Sequence, residues 1–278
     1  MKDLRGRTAV ITGAASGIGL GIAHALGDAG MDLVLSDIEP DPLDQAVKEV
    51  SAYGTRVLAV PANVADRDAV AALADTAYRE MGAVDVLCSN AGVGVFPAIA
   101  DATASDWDWV LSVNLGGMVN CFLAFLPRMA AQEGEQHIVL TASIAGLASF
   151  GMTIYSTTKY AIVGMGESLA QESAMNGYGI GVSILCPGGV DTQFGTSDRN
   201  RPDGQAGAQV SPIGTSRGRG SDPERQQTTM NPRDVGVCVR QAIVDGDLYI
   251  VPHPYTRALV EARAASLSAA YDKAAVDS

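Results

Sequence analysis

A chain of 278 residues, 47% hydrophobic and only 18% charged, can bury a sizeable core and lacks the composition of a disordered protein. Its net charge of −12 argues against a nucleic-acid partner or an anionic membrane surface. The four cysteines (Cys88, Cys121, Cys186, Cys238) and three histidines are scattered without metal-ligand spacing, so no metal site is expected. Residues 1–7 are too polar for a signal peptide. The most apolar long stretch, 110–126, contains Asn114, Gly116, Gly117 and Asn120 and falls short of a membrane span. A soluble protein in the reducing cytoplasm is the resulting expectation.

In chain order, Thr8–Thr12 is a short β-branched run that predicts a buried strand. Gly13, Ser16, Gly17, Ile18 and Gly19 follow in a G-x-x-x-G-x-G turn, and a helical pattern then runs to about Asp28. Strand, glycine turn and helix form a context in which backbone approaches a pyrophosphate and a helix N-terminus faces its charge. The next strand, 32–37, ends in Asp37, 18 residues past Gly19. That is close to the roughly 20 residues expected before a ribose-binding carboxylate. A helix cap or a loop charge is the bland alternative for Asp37.

Asp41-Pro42 predicts the opening of a helix, with Asp41 as N-cap. Residues 57–60 read as a third strand, followed by Asn63-Val64, and Asp66 caps another helix. Residues 84–88 predict a fourth strand, closed by Asn90-Ala91-Gly92. A long helical pattern runs from about Asp106 to Met129, then a strand at 137–141 and a helix from Tyr155 to about Met175. A sixth strand, 180–186, stops at Pro187-Gly188; Asn231-Pro232 opens another helix, and 249–251 is a short last strand. Apolar strands alternating with helices predict an α/β fold: a parallel sheet of about seven strands with helices on both faces, in a single domain over 1–278.

Tyr155 and Lys159 are four apart, on one helix face and one turn from each other. At roughly 4 Å and an effective dielectric of about 20, an ammonium attracts a phenolate by about 4 kcal/mol, or about three pKa units. That shift would bring a phenol into the range of general acid–base catalysis. Ser143, at the end of the fifth strand, can face a bound carbonyl. Taken alone, Tyr-x-x-x-Lys reads equally as a solvated helix face.

Residues 193–230 break the alternation. They hold Arg199, Arg201, Arg217, Arg219 and Arg225 beside Asp198, Asp203, Asp222 and Glu224, and no period. A loop this long inside a compact domain is usually functional or disordered, and it follows a strand end, where ligands bind in such folds.

Over about residues 4–251 these motifs resemble the short-chain dehydrogenase/reductase family, in its compact single-domain branch. Thr12-Gly13-x-x-x-Gly17-x-Gly19 is similar to its cofactor turn and Asn90-Ala91-Gly92 to its sheet-stabilising motif. Asn114, Ser143, Tyr155 and Lys159 fall where its catalytic tetrad is expected, and Pro187-Gly188-x-Val190-x-Thr192 where its nicotinamide turn is expected. Two departures are small: Ser89 replaces an Asn, and Asn63 stands where an Asp is usual beside the adenine.

The resemblance implies a Rossmann-like doubly wound domain that binds NAD. Its cofactor contacts would be Gly13, Ser16, Gly17, Ile18, Gly19, Asp37, Asn63, Val64, Asn90, Ala91, Gly92, Tyr155, Lys159, Pro187, Gly188, Val190 and Thr192. It implies hydride transfer between nicotinamide and a secondary alcohol or ketone, with Tyr155 as acid–base group. Lys159 would depress its pKa and hold the nicotinamide ribose, Ser143 would orient the substrate oxygen, and Asn114 would interrupt its helix and hold a relay water.

NAD rather than NADP is expected because Ile38 follows the acid and Ala14, Ala15 and Ser16 fill the turn, with no basic residue to meet a 2′-phosphate. The resemblance places Val95, Phe96, Ser143, Ala145, Phe150, Gly189 and Phe194 around the substrate. The uncharged segments 93–99 and 144–154 suggest a bulky, apolar, cyclic or aromatic one, under a lid at 193–230. Phe194 and Met230 would lie near the lid's hinges, with Val210 and Ile213 as apolar contacts. The alternatives are an NAD-binding sensor or partner protein without turnover, and a reductase for an anionic or CoA-linked carbonyl substrate. A homo-oligomer, tetramer or dimer, is expected, and the 255–276 stretch reads as amphipathic. With only about 27 residues after Val251, a dehydratase or epimerase of the extended branch is disfavoured.

Overall fold

The computed structural model describes residues 1–149, 151–202, 207 and 229–276. The strands are β1 (Thr8–Thr12), β2 (Asp32–Ser36), β3 (Val57–Ala59), β4 (Val86–Ser89), β5 (Gln136–Thr141), β6 (Ile180–Leu185) and β7 (Tyr249–Ile250). They form one parallel sheet in the order β3-β2-β1-β4-β5-β6-β7. Parallel strands need crossovers, and helices supply them: α1 (Gly17–Asp28), α2 (Pro40–Val50), α3 (Arg67–Met81), α4 (Ala104–Val110), α5 (Gly117–Ala131), α6 (Thr153–Asn176) and α7 (Pro232–Asp245); α8 (Arg257–Val276) follows the last strand.

The period of two along each strand divides the core. In register, Val10 pairs with Val34 and Leu87, Leu87 with Ile138, and Ile138 with Val182. These point to α3, α5 and α6, where Leu73, Phe125 and Ile162 are fully buried. The alternate positions, Ile11, Leu35, Cys88 and Val139, meet Ile22, Leu26, Leu43 and Val239 of α1, α2 and α7. A sheet apolar on both faces is what the continuous strand runs predict.

Several local readings change. The Asp41 cap moves: α2 begins two residues earlier, at Pro40, with Glu39 as N-cap making no side-chain cap bond. Proline at the first helical position loses no hydrogen bond, so Pro40 serves where Pro42 was expected. The 106–129 helix is two helices, α4 and α5, joined by a π-helical segment, Leu111–Gly116, around Asn114. Taken as one, Ala104–Ala131 is by length and composition apolar enough to cross a membrane, against the sequence expectation. Here it packs Met118, Cys121, Phe125 and Met129 into the core, and Asn120 donates to the Val64 carbonyl at 2.9 Å. Finally, α8 has no buried face: Leu259, Leu267 and Tyr271 are exposed, and Arg263 lies over the Tyr160 ring at 5.3 Å.

Candidate active site

Strand order reverses between β1 and β4, so their connections leave in opposite directions and open a crevice at the strands' C-terminal ends. A cavity of about 1250 Å³ occupies it. Asn90 ties the floor together. Its side-chain amide donates to the Thr12 carbonyl at 3.0 Å, its backbone N–H donates to the Thr12 hydroxyl at 3.0 Å, and its carbonyl oxygen accepts from the Thr141 hydroxyl at 3.0 Å. The ends of β1, β4 and β5 are thereby held in one plane.

At one end of the cavity lie Gly13, Ser16, Gly17 and Ile18. Gly19 lies behind them, and a Cβ there would come 2.0 Å from the Gly13 carbonyl oxygen, so the turn closes only on glycine. Ser16 caps α1 without a side-chain bond, leaving the first-turn N–H groups directed at the cavity. Asp37 accepts from the N–H groups of Ala15 at 3.0 Å and Glu39 at 3.1 Å. Burial pushes its carboxyl above the ordinary carboxylate range, against those two bonds. Asn63, Val64, Ala91, Gly92, Pro187, Gly188, Val190 and Thr192 line the same cavity further along.

At the other end stand Ser143, Tyr155 and Lys159. Lys159 is 3% exposed and donates to the Thr141 carbonyl at 2.8 Å. Burial pushes its ammonium down to about 8 and the Tyr155 phenol up to about 12, the latter against the pull of a Ser143 hydrogen bond. The sequence expectation of a phenol lowered by its lysine is not met. Lys159 Nζ lies 5.5 Å from the Tyr155 ring centroid, and desolvation by burial is the largest influence on the phenol. Asn114 does not line the cavity. Its carbonyl oxygen accepts from Val93 N–H at 2.8 Å, and its amide donates to the Val93 carbonyl at 3.0 Å and the Thr158 hydroxyl at 3.2 Å.

The expected substrate residues divide. Ser143, Gly189 and Phe194 line the cavity. Phe96 does not, yet its ring lies 5.6 Å from that of Tyr155 and 6.2 Å from that of Phe194. Val95 turns away from the cavity into a small cluster with Trp109 and Ile154, and Ala145 is fully buried in the turn that Ser143 opens. Phe150 lies outside the described residues. While Met152 comes from the 144–154 segment expected there, the apolar wall that sequence reasoning missed is Trp109, Val113 and Leu259. Their only sequence signal was helical periodicity, which reads equally as core.

Of the proposed lid, Gln193–Asn200 forms a short helical turn capped by Thr192, whose hydroxyl accepts from Phe194 N–H. Val210, Ile213, Arg217, Arg219, Arg225, Asp203, Asp222 and Glu224 lie outside the described residues. The excursion leaves and returns side by side: Met230 N–H donates to the Gly189 carbonyl and Asp191 N–H to the Met230 carbonyl, each at 3.0 Å.

Two arginines attach the lid segment to opposite walls. Arg199 donates twice to Glu39, at 3.0 and 2.7 Å. This corrects the expectation that no basic residue reaches the ribose end, although Arg199 is neutralised there. Arg201 donates to Asp106 at 2.8 Å and lies 4.4 Å over the Trp109 ring, with the two side chains of the ion pair 9% and 1% exposed.

A sequence model of the family described as short chain dehydrogenase matches residues 7–203. The chain is 32% identical over 261 residues to the C alpha-dehydrogenase of Sphingobium sp. strain SYK-6, covering 92% of this chain and 84% of that one. It is 33% identical over 250 residues to the 1-deoxy-11-beta-hydroxypentalenate dehydrogenase of Streptomyces exfoliatus, covering 89% and 83%. The structure of a short-chain dehydrogenase/reductase from Burkholderia phymatum in complex with NAD superposes with a TM-score of 0.88, at 34% identity, over 96% of each chain.

The Arg201–Asp106 pair carries a consequence for stability. Removing one member of a buried pair leaves a charge uncompensated, at a cost of about 3–5 kcal/mol. Thr103 donates to Asp106 through its N–H at 2.9 Å and its hydroxyl at 2.7 Å, which favours the lower end. Arg201→Ala should therefore lose about 3 kcal/mol in urea denaturation and exchange amide hydrogens faster across 193–202. Unchanged stability and exchange would show that the pair anchors nothing.

Proposed function

The chain belongs to the short-chain dehydrogenase family, and on that premise we propose that it is an NAD-dependent oxidoreductase. Its reaction would interconvert a secondary alcohol and its ketone, with a bulky, apolar, cyclic or aromatic substrate. The observation that supports this most is the pairing, in one cavity, of a glycine turn with an inward carboxylate at one end and Tyr155, Ser143 and a buried ammonium at the other.

The residues fit the cofactor. The free first-turn N–H groups of α1 suit a pyrophosphate, Asp37 suits two ribose hydroxyls, and Lys159, with three donors, has one protein acceptor among the described residues. Bound NAD would supply the hydride acceptor. Tyr155 takes the proton of the substrate hydroxyl in oxidation and returns it to the carbonyl in reduction. Lys159 holds a ribose hydroxyl and steadies the phenolate. Ser143 donates to the substrate oxygen. Asn114, fixed on Val93 and Thr158, holds a relay water through the π-helical opening of its helix.

The apolar reading of the substrate rests on Trp109, Val113, Met152 and Phe194 along the wall, where burial contributes about 25 cal/mol for each Å². A second reading, an anionic substrate clamped by a lid arginine, has Arg199 and Arg201 at the cavity in its favour. Both already hold carboxylates, and that ranks it second. We also place the protein in the cytoplasm, where Cys88, Cys121 and Cys186 stay reduced as buried thiols, and as a homo-oligomer. The exposed Leu259, Leu267 and Tyr271 of α8 support self-association.

Three measurements test this. A screen of alcohols with NAD, read by NADH absorbance, should favour cyclic or aryl secondary alcohols over sugars and carboxylated substrates; a preference for anions that disappears in Arg201→Lys would establish the second reading, and binding of NADH without turnover of any alcohol would leave a sensor.

Cofactor choice follows from Asp37. A 2′-phosphate about 4 Å from it, at a dielectric of about 20, is repelled by about 4 kcal/mol, roughly a thousandfold in kcat/KM. Glu39→Gln, which releases Arg199, should narrow that preference. Equal kcat/KM for NAD and NADP in the wild type would remove Asp37 from this role.

Tyr155→Phe should lower kcat by about a hundredfold to ten-thousandfold while still binding NADH. Oxidation needs the phenolate, whose fraction rises tenfold per pH unit below its pKa, whereas reduction needs the neutral phenol. With the phenol raised, kcat/KM for oxidation should climb from about pH 6 to about pH 8 while that for reduction stays level. Parallel profiles in the two directions would assign the proton to another group.

A further inference from the structure

We propose that His253 is a positioning residue that clasps the turn at 187–189 in the shape that receives the nicotinamide end of the cofactor. This rests on the NAD reading above. His253 follows β7 and is only 2% exposed. Its Nδ1 lies 3.0 Å from the N–H of Gly188 and its Nε2 lies 2.8 Å from the carbonyl oxygen of Gly189. The Gly188 N–H can only donate, so Nδ1 accepts. The Gly189 carbonyl can only accept, so Nε2 carries the hydrogen. The two bonds thus select one neutral tautomer, and one ring grips a donor and an acceptor on consecutive residues.

The turn needs such a grip. Gly188 and Gly189 have no side chains with which to fix it, and glycine pairs lose the most backbone freedom on ordering. The clasp is itself rigid. The His253 carbonyl accepts from the Thr256 N–H at 3.1 Å and hydroxyl at 2.8 Å, and the imidazole meets the Tyr255 ring edge-on, centroids 5.6 Å apart.

What the turn holds extends in two directions. The Pro187 carbonyl accepts from Ile144 N–H at 2.9 Å, next to Ser143, and the Gly189 carbonyl also accepts from Met230 N–H, at the base of the lid. His253 therefore fixes one turn that touches the expected nicotinamide site, the Ile144 backbone beside Ser143 and the Met230 return. A histidine that merely satisfied core polar groups would leave ligand affinity unselectively changed or unchanged.

The discriminating measurement compares NADH with ADP-ribose, which lacks the nicotinamide end. His253→Phe keeps a ring against Tyr255 and removes both nitrogens. It should weaken NADH binding by about tenfold or more, with ADP-ribose affinity kept within about twofold and the circular dichroism unchanged. His253→Gln, whose carboxamide offers an acceptor and a donor side by side, should recover most of the NADH affinity. In the wild type the Gly188 amide should be protected from exchange, and the ¹⁵N shifts of His253 should report the Nε2–H tautomer.

Equal losses for NADH and ADP-ribose, no loss for either, or an unprotected Gly188 amide would overturn the proposal. If the Phe variant does not fold, the Gln variant and the wild-type amide and ¹⁵N readings decide it by the same criteria. A wild-type protein that binds neither ligand refutes the NAD reading, and this proposal with it; wild-type binding with an unselective variant refutes the clasp alone.

Discussion

A lysine ammonium taken almost wholly out of water is the constraint on which this site depends. Lys159 keeps 3% of its surface and, among the described residues, one protein acceptor, the Thr141 carbonyl at the end of β5. Burying a cation costs several kcal/mol unless its donors are satisfied, and the depressed pKa, near 8, is the trace of that cost. The surroundings are organised to keep the charge in place rather than to neutralise it. Thr141 is held by Asn90, Asn90 by Thr12, and the backbone beside Gly92 by Asn114. A site arranged this way has two ammonium donors left for a ligand hydroxyl and a phenolate, groups that a bound cofactor and an ionising Tyr155 would bring.

The lid segment follows different physics. Gln193–Asn200 contributes Phe194 to the aromatic group around Tyr155, with centroids 5.5 Å apart, and its position is set by two ion pairs of unequal kind. Arg201–Asp106 is nearly dry and stacked on Trp109, so it resists salt. Arg199–Glu39 is a third to a quarter exposed and spans the groove beside Asp37, so it is screened and is the weaker attachment.

The fold was legible in the sequence because its signals are local and repeated. Short apolar strand runs alternating with helices leave little choice but a doubly wound parallel sheet. The positions of the glycine turn, Asp37 and the Tyr155–Lys159 face were legible because their spacing alone sets their geometry. What was not legible depends on three dimensions. Val95 lies off the cavity because a loop residue's facing is set by what packs under it, and no period governs residues 93–99. Arg199 reaches Glu39 across 160 positions, a contact that composition near Asp37 could not show. His253 carries no motif, and only the return of the chain after β7 brings it under the 187–189 turn.

The phenol illustrates the same limit in energetic form. A pairwise estimate treats Tyr155 and Lys159 as two charges in a uniform medium and lowers the phenol by about three units. The folded protein adds what a pair cannot contain, the loss of water around the oxygen, and that pushes the phenol up to about 12. A pKa compares the neutral and ionised states of one site, so both effects enter it, and desolvation is the largest cause here. While Tyr155 is neutral, the ammonium has no charge to attract and bonds to Thr141 instead. Only when the proton leaves does the attraction act, and beside a buried ammonium it is stronger than at a surface. A tyrosine of this kind is a poor base at rest and a better one as charge develops. Stabilisation that grows with ionisation contributes to lowering a barrier, whereas stabilisation already present in the resting state does not.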